Sequence, residues 1–284
     1  MKIAVVTDTD ASLSLEMAKQ YGIHLVPITV QFGEESYDSE YEILDEEVFE
    51  RIDEIGKLPT TAAPSPGKWA QGFQAAFDDG ADAVLCFTVS RNLSATYDAA
   101  VMAATDLLKG KDITVIDTNS LSMAQGYMAI EAAQVLERGG TLEEAIAAAK
   151  SYEGRTYLFG ALATLRYLAM SGRVGQLAAG MANLLNIKPI LTMENGKLEL
   201  LEKIRTQKKC WMRMIELLQE KAGDRTIEKV SILHVACLDD AKKFEVLLRK
   251  HMEIPEEVIF TSMTAGLSVH TGAGLVGVVI VTEE

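Results

Sequence analysis

Four polar side chains follow one apolar segment of the chain and form its strongest candidate for ligand binding. The segment Ala83–Val89 has the composition of a buried strand, and the residues behind it supply three hydroxyls and one amide, from Ser90, Asn92, Ser94 and Thr96. In an open α/β sheet, ligands bind in loops that leave the carboxyl ends of strands. The helix predicted to follow offers unpaired N–H groups that favour an anion. Because this loop contains neither Lys nor His, it predicts a site for an oxygen-rich headgroup rather than a catalytic centre.

Two carboxylates follow the first predicted strand and suggest a different chemistry. Asp8 and Asp10 flank Thr9, an arrangement that could hold Mg²⁺ or form a phosphoaspartate, as in phosphatases of the haloacid-dehalogenase type. That signature also requires Thr or Val two residues after the second acid, where this chain has Ser12. A Mg²⁺-dependent phosphatase or phosphotransferase using Asp8 and Asp10 is therefore the alternative hypothesis. The structural interpretation is that Asp8 anchors its loop through hydrogen bonds and Asp10 begins a helix.

Three further loops carry groups that can contact a ligand or a partner. A loop stiffened by two prolines contains the hydroxyls of Thr61 and Ser65. Arg173 lies between glycines, which would leave its guanidinium free to meet an anionic group. His270 precedes a Gly-Ala-Gly stretch, where the backbone can approach a ligand closely. Each loop taken alone is also compatible with an ordinary turn. These residues therefore support a ligand or partner site only when they are considered together.

Composition narrows the functions that the chain can perform. Its 284 residues carry a formal net charge of −14, whereas binding to nucleic acid requires a basic footprint. The same charge opposes a broad electrostatic contact with anionic membranes, and no apolar run reaches the length of a transmembrane helix. The three cysteines stand far apart, without the spacing of a metal or redox site. We therefore expect a cytoplasmic protein with no metal site, no nucleic-acid partner and no integral membrane segment.

The order of apolar segments predicts an α/β fold of two domains with largely parallel sheets. Short strands alternate with amphipathic helices along the first half of the chain, and such alternation is typical of crossover units. A second series of strands and helices begins near Arg155. We expect an N-terminal α/β domain over residues 1–154 and a C-terminal α/β domain over residues 155–284.

Several local patterns predict individual elements. A single strand is expected over His24–Val30, and a helix over Ser12–Tyr21 with Ser12 as its N-cap. Thr141 with Glu144 predicts a capping box, and Asn195-Gly196 predicts a hairpin.

Five short motifs, in order over essentially the whole chain, resemble those of the DegV family of bacterial fatty-acid-binding proteins. The family motifs are a D-S-T-like turn, T-S-Q-P-S-P, S-S-x-L-S-G-T-Y, G-G-R-[IV] and H-x-G-P-G-x-x-G. The corresponding segments of this chain are Asp8–Asp10, Thr61–Pro66, Ser90–Tyr97, Ser171–Val174 and His270–Gly277. None of these motifs is decisive alone, but five in register over the full length are specific.

The resemblance implies two α/β domains with a ligand tunnel between them that holds an acyl chain. It implies that Thr61 and Ser94 contact the carboxylate of a long-chain fatty acid such as palmitate, and we expect further ligand contacts from His270, Asn92 and Ser65. No other cofactor is implied.

The resemblance also implies a partner. Family members present the bound fatty acid to a separate fatty acid kinase, which makes an acyl-phosphate for phospholipid synthesis. The chain would then be a carrier and not an enzyme. We expect Arg173 to contact that kinase or the transferred phosphoryl group.

The chain departs from the family motifs at five positions, which are Ala62, Ala63, Ala95, Ser171 and Ala273. The first two replace a Ser and a Gln and so change the hydrogen bonding expected around the headgroup, while Thr61 and Ser94 are retained. A third hypothesis is a soluble module that binds some other hydrophobic or anionic metabolite, such as a retinoid-like or polyketide acid.

Overall fold

The computed structural model describes residues 1–171 and 187–284, and their contacts divide the chain into two compact units. Unit 1 comprises Met1–Leu44 and Pro59–Glu153, and unit 2 comprises Asp45–Leu58 and Gly154–Glu284. The sequence predicts two contiguous domains, whereas residues 45–58 belong to unit 2. The helix formed by these residues packs against a helix near the end of the chain, a long-range contact that no local pattern reports.

The residues up to Glu153 form seven strands and six α-helices. In chain order these are β1 (Ile3–Asp8), α1 (Leu15–Gln20), β2 (Ile23–Val26), β3 (Thr29–Phe32), β4 (Glu35–Asp38), α2 (Asp45–Ile55), β5 (Thr60–Ala62), α3 (Pro66–Asp78), β6 (Ala83–Thr88), α4 (Thr96–Met102), β7 (Asp112–Asp117), α5 (Met123–Glu137) and α6 (Leu142–Lys150). A 3₁₀ turn spans Thr9–Ala11, and a π-helical segment, Ala103–Leu107, continues α4.

The described residues after Glu153 form six further strands and four further α-helices. In chain order these are β8 (Thr156–Ala161), α7 (Arg166–Ser171), β9 (Lys188–Glu194), β10 (Lys197–Ile204), α8 (Gln207–Ala222), β11 (Ile227–His234), α9 (Leu238–His251), β12 (Ile259–Ser262), α10 (Ala265–Thr271) and β13 (Val276–Thr282).

The main sheet of unit 1 is parallel, as the alternation of strands and helices predicts. Its strand order is β2-β1-β6-β7, and every pairing in it is parallel. All residues of β6 are buried, which is the pattern of a central strand covered on both faces. Trp69 and Phe73 of α3 pack on one face, and α5 contacts β1 and β6, where Gln125 donates a hydrogen bond to Thr7. The carboxyl ends of β1 and β6 therefore meet at one edge between two helical layers.

A small antiparallel sheet in unit 1 corrects the prediction of one strand over His24–Val30. Residues 23–26 form β2 of the main sheet, and the chain then passes Pro27 into β3, which pairs with β4 and β5. Proline lacks the N–H that a ladder requires and is confined to the ends or edges of strands, so it separates the two elements. The N–H of Ile28 donates to the hydroxyl of Thr9 over 3.0 Å, which fixes this sheet to the end of β1.

Unit 2 contains one six-stranded sheet in the order β10-β9-β8-β13-β11-β12. Only its β11–β12 pair is parallel, so the predicted parallel arrangement holds for unit 1 but is wrong for most of this sheet. The hairpin at Asn195-Gly196 and the return of β13 between β8 and β11 produce the antiparallel pairs. Phe159, Trp211 and Phe244 anchor a hydrophobic core between the sheet and helices α8 and α9.

The local predictions were confirmed where short-range hydrogen bonds decide the structure. Thr141 and Glu144 form the reciprocal bonds of a capping box at the start of α6, and Asn195-Gly196 joins β9 to β10. The N-cap of α1 is Ser14 and not Ser12, because Ser12 adopts a left-handed conformation (φ 55°) at the end of the 3₁₀ turn. Helix α10 was not predicted, since its residues Ala265–Thr271 are almost all buried and show no amphipathic period.

Candidate functional site

The loop from Val89 to Ala95 lies at the carboxyl end of β6 and is held by its own backbone and by the neighbouring strand. The N–H groups of Leu93 and Ser94 both donate to the carbonyl of Ser90, at 3.0 and 3.2 Å. The hydroxyl of Ser90, which is fully buried, accepts the N–H of Asn92 over 3.3 Å. The Ser90 N–H donates to the carbonyl of Ser120. These bonds fix a compact turn in which Asn92 and Ser94 lie close together.

Ser94 and Thr96 form a pair of hydroxyls at the start of α4. Their oxygens are 2.7 Å apart, and the Thr96 N–H approaches the Ser94 oxygen over 3.3 Å. Ser94 is half-buried and Thr96 is fully buried, so the pair is only partly solvated. Since either hydroxyl can be the donor of the shared bond, the other retains a proton for a ligand oxygen. This geometry suits the binding of a carboxylate.

The buried carboxylate of Asp8 fixes the hydroxyl loop to the end of β1. One of its oxygens accepts the N–H of Val89 over 2.8 Å, and the other accepts the N–H of Asp10 over 3.0 Å. Burial raises the pKa of Asp8 to about 6, against the opposing effect of hydrogen bonds from Val89, Gln125 and Asp10. Asp8 is therefore a positioning residue for the loop, as its structural interpretation from sequence suggests.

The same bonds oppose the Mg²⁺ hypothesis for Asp8 and Asp10. A metal ligand needs an accessible oxygen lone pair, whereas both Asp8 oxygens already accept backbone N–H groups and the residue is fully buried. Asp10 is itself buried in the 3₁₀ turn. Within residues 1–171 and 187–284, no three His, Cys, Asp or Glu side chains are grouped in a way that could hold a metal ion.

Thr61 and Ser65 lie on the second polar loop of unit 1. Thr61 is half-buried in the centre of β5, where it pairs with Val30 of β3. Ser65 is the N-cap of α3, and its hydroxyl accepts the N–H of Lys68 over 3.2 Å. The Ser65 hydroxyl therefore stabilises the helix and keeps only its proton for a ligand. Lys68 also pairs with Asp38, so its charge is largely neutralised within the unit.

Hydrogen bonds connect both polar loops of unit 1 to the carboxyl end of β1. The bond between Ile28 and Thr9 connects β3, and through it β5 with Thr61, to the carboxyl end of β1. Asp8 connects that same end to the loop that contains Ser94. The structure thus places Thr61, Asn92 and Ser94 on loops tied to one strand end.

His270 lies in unit 2, near the end of α10, and is partly buried. The helix ends at Gly272, whose φ of 80° and close approach to the ring of Tyr167 leave no room for a side chain. A Cβ at Gly272 would lie 2.2 Å from a Tyr167 ring carbon. Arg173 lies outside the described residues.

Sequence reasoning missed Arg91 of this loop and Asp117, which contacts the loop from the end of β7. Asp117, at the end of β7, accepts the N–H groups of Arg91 and Asn119 over 3.3 and 3.0 Å. The Arg91 guanidinium lies over the Tyr97 ring and pairs with Asp98. The position of Asp117 directly after an apolar strand is the same signal that identified Asp8, and it could have been used to find this contact.

Comparison with known proteins agrees with this architecture. The family model described as "Uncharacterised protein, DegV family" matches residues 2–283. A DegV domain-containing protein of Streptomyces coelicolor is 33% identical over 278 residues, which cover 98% of both chains.

Solved structures of DegV proteins have the same fold as this chain. A DegV family protein from Thermus thermophilus, described by its fatty acid binding, matches with a TM-score of 0.89 at 29% identity over 100% of both chains. DegV of Bacillus subtilis, described as a fatty acid binding protein, matches with a TM-score of 0.88 at 30% identity over 100% of both chains. In the part of the chain that the structure describes, no helix is both long and apolar enough to cross a bilayer. The family match over nearly the full length shows that this chain belongs to the DegV family.

Proposed function

We propose that the chain binds a long-chain fatty acid, such as palmitate, in an apolar tunnel and presents its carboxylate to a separate fatty acid kinase for acyl-phosphate formation. The observation that carries the proposal is the pair of hydroxyls, Ser94 and Thr96, on a loop that the buried Asp8 holds at the end of the central strand β6. Solved relatives of similar sequence over the whole chain are described as fatty acid binding.

The headgroup contacts follow from the chemistry of these loops. A carboxylate accepts hydrogen bonds only, and Thr61 and Ser94 each bring a hydroxyl proton to the edge where β1 and β6 end. Each hydrogen bond to a charged group contributes about 1.5–3 kcal/mol. Asn92 and Ser65 are proposed as neighbouring contacts of the same headgroup, and His270 as a further contact of the ligand.

The acyl tail supplies most of the affinity. Burial of apolar surface yields about 0.8 kcal/mol per CH₂, or roughly 11 kcal/mol for about fourteen methylenes. Immobilisation of the ligand offsets part of this. The hydroxyls then set the orientation and keep the buried carboxylate satisfied, since a desolvated charge without partners is costly.

The chain acts as a carrier, and a partner performs the chemistry. The candidate headgroup residues are hydroxyls, an amide and one His, and the buried Asp8 is engaged in backbone hydrogen bonds. A kinase in the same compartment, which we propose to be the cytoplasm, would take the exposed carboxylate. Arg173 is proposed to contact this kinase or the phosphoryl group, because a guanidinium binds oxyanions through two parallel hydrogen bonds.

The test combines identification of the natural ligand with headgroup variants. Lipids extracted from the purified protein are identified by mass spectrometry, and a long-chain fatty acid is expected. Ser94→Ala and Thr61→Ala should each weaken binding of a fluorescent fatty acid by about 10- to 150-fold while the protein remains folded. Thr105→Ala is the matched control, because it removes an exposed hydroxyl of the π-helical segment in the same unit.

Three results would contradict the proposal in different ways. Unchanged affinity of the Ser94→Ala/Thr61→Ala double variant would show that the headgroup is bound elsewhere. A different co-purified acid, such as a retinoid-like or polyketide acid, would change the ligand but keep the carrier role. A protein that holds no lipid and releases phosphate in the presence of Mg²⁺ would favour the phosphatase alternative.

A further inference from the structure

Three polar side-chain atoms of unit 2 are buried without a hydrogen-bonding partner among the described residues. The atoms are Nδ1 of His234, Oγ of Ser262 and Oγ1 of Thr264, and none has a partner anywhere in the described structure. His234 is 8% exposed and Thr264 is 2% exposed. Most buried polar side-chain atoms in native proteins are paired, and an unpaired one costs about 1–3 kcal/mol. A polar ligand would supply the partners that these three atoms lack.

The fold brings these three residues to the ends of two neighbouring strands, β11 and β12. His234 and Ser262 are register partners in the β11–β12 pair, so their Cα atoms lie about 4.8 Å apart and their side chains point to the same face. Thr264 follows Ser262 by two residues, with φ −55° and ψ 156°, and so lies directly beyond the end of β12. The N–H of Met263 donates to the carbonyl of His234 over 2.8 Å and fixes the two strand ends together.

Thr264 supports the assignment because it leaves its usual role unused. It is the N-cap residue of α10, a position where a Thr hydroxyl normally accepts an N–H of the first turn. Its side chain makes no such bond. The site also lies at the carboxyl ends of the only parallel strand pair among the described strands of this sheet, which is where α/β sheets bind ligands.

The charges around His234, Ser262 and Thr264 determine which kind of ligand would fit. Asp45 and Glu46, at the start of α2, both interact electrostatically with His234, and Asp45 accepts the N–H of Ala236 over 3.1 Å. Burial lowers the pKa of His234, with the two carboxylates opposing that effect. The imidazole is then neutral near pH 7, and in its Nε2–H tautomer it accepts a hydrogen bond through Nδ1. The charges that act on His234 among the described residues are these two carboxylates, and they disfavour an anion.

We propose that His234, Ser262 and Thr264 bind a primary ammonium group. Such a group has three N–H donors, which match the three unpaired acceptor atoms in number, and its charge is complementary to Asp45 and Glu46. An acyl chain has no donor and leaves these atoms unsatisfied. The site uses none of the residues proposed as headgroup contacts. The proposal is independent of fatty-acid binding.

The test measures stabilisation by small cations. The melting temperature of the full chain is followed in methylammonium chloride, tetramethylammonium chloride and sodium chloride at matched ionic strength. A ligand that binds the folded state raises the melting temperature saturably. We expect that response from methylammonium only, because tetramethylammonium carries the same charge without N–H donors.

Variants show whether methylammonium binds at His234, Ser262 and Thr264. Ser262→Ala and Thr264→Val should each raise the methylammonium concentration needed for half of the stabilisation at least tenfold. Neither variant should unfold the protein, since each removes a buried hydroxyl that has no partner among the described residues. Thr156→Val is the matched control, because its hydroxyl is also buried and unpaired but lies at the start of β8. The proposal is wrong if wild type shows no saturable methylammonium response, if tetramethylammonium acts equally, or if the Ser262→Ala/Thr264→Val double variant responds like wild type.

Discussion

The buried Asp8 carboxylate makes the stability of unit 1 depend on pH, and Asp8→Asn is expected to remove that dependence. Asp8 holds the candidate headgroup loop through the N–H of Val89 and the 3₁₀ turn through the N–H of Asp10. Its burial raises the pKa from 3.8 to about 6. Gln125 is adjacent to it and has a buried side-chain oxygen with no partner among the described residues.

The sign follows from the direction of the shift. Because the folded state binds the Asp8 proton more tightly than the unfolded state, the contribution of this group to stability is full below pH 3.8 and is lost as the pH rises through about 6. A shift of about 2 pKa units corresponds to about 3 kcal/mol, of which roughly half falls between pH 5 and pH 8. Asn remains neutral, so its contribution to stability does not change with pH. Its side-chain oxygen can accept only one of the two N–H groups, and the lost hydrogen bond costs about 1 kcal/mol at every pH.

The assay is urea denaturation followed by tryptophan fluorescence between pH 5 and pH 8. The chain has two tryptophans, Trp69 in the core of unit 1 and Trp211 in the core of unit 2. In a Trp211→Phe background, Trp69 alone reports the unfolding of unit 1. The unfolding free energy of the Asp8 protein should fall relative to the Asp8→Asn protein by about 1.5 kcal/mol across this range, with its midpoint near pH 6.

Asp106→Asn is the control, because Asp106 is an exposed carboxylate of the same unit. Because Asp106→Asn leaves Asp8 in place, this variant should keep the pH dependence that Asp8 gives to the unfolding free energy. A constant difference between the Asp8 and Asp8→Asn proteins from pH 5 to pH 8 would refute the reasoning, since it would mean that Asp8 has an ordinary pKa or is not buried in solution.

Three further outcomes are expected. Arg173→Ala should leave fatty-acid affinity unchanged and slow acyl-phosphate formation by an added kinase; loss of fatty-acid binding would place this residue in the ligand site instead. Gly126→Ala should destabilise unit 1 by about 1–3 kcal/mol in urea denaturation, because a Cβ there would lie 2.7 Å from the carbonyl oxygen of Ala11; an unchanged midpoint would show that α5 can move away. Thr141→Ala should lower the thermal stability by about 1 kcal/mol through loss of the capping box, whereas an unaltered melting curve would show that α6 does not depend on this cap.

The candidate site was predicted from sequence where residues close together in the chain form it. The hydroxyls of Ser90, Ser94 and Thr96 stand within seven residues, directly after an apolar strand, so the strand end and the helix that follows were enough to bring them together. The same locality explains why the capping box of Thr141 and the hairpin at Asn195-Gly196 were predicted correctly.

The direction of strands in unit 2 could not be obtained in this way. Alternating strands and helices predict crossovers, but β13 returns between β8 and β11 and is antiparallel to both. Strand order depends on which distant segments pair, and these pairs leave no period in the sequence. The assignment of residues 45–58 to unit 2 has the same origin, since it rests on contacts with residues far along the chain.

The sequence by itself determined the family motifs, the parallel sheet of unit 1 and the polar loops, because these follow from residue type and short-range hydrogen bonds. The tertiary structure alone decided the roles that depend on long-range contact. It brings the Asp8 carboxylate to the N–H of Val89, 81 residues away along the chain. It also placed His234 beside Ser262, and burial left the His234 Nδ1 and the Ser262 Oγ without a partner among the described residues. Burial and long-range pairing set these properties, and neither is encoded in the spacing of neighbouring residues.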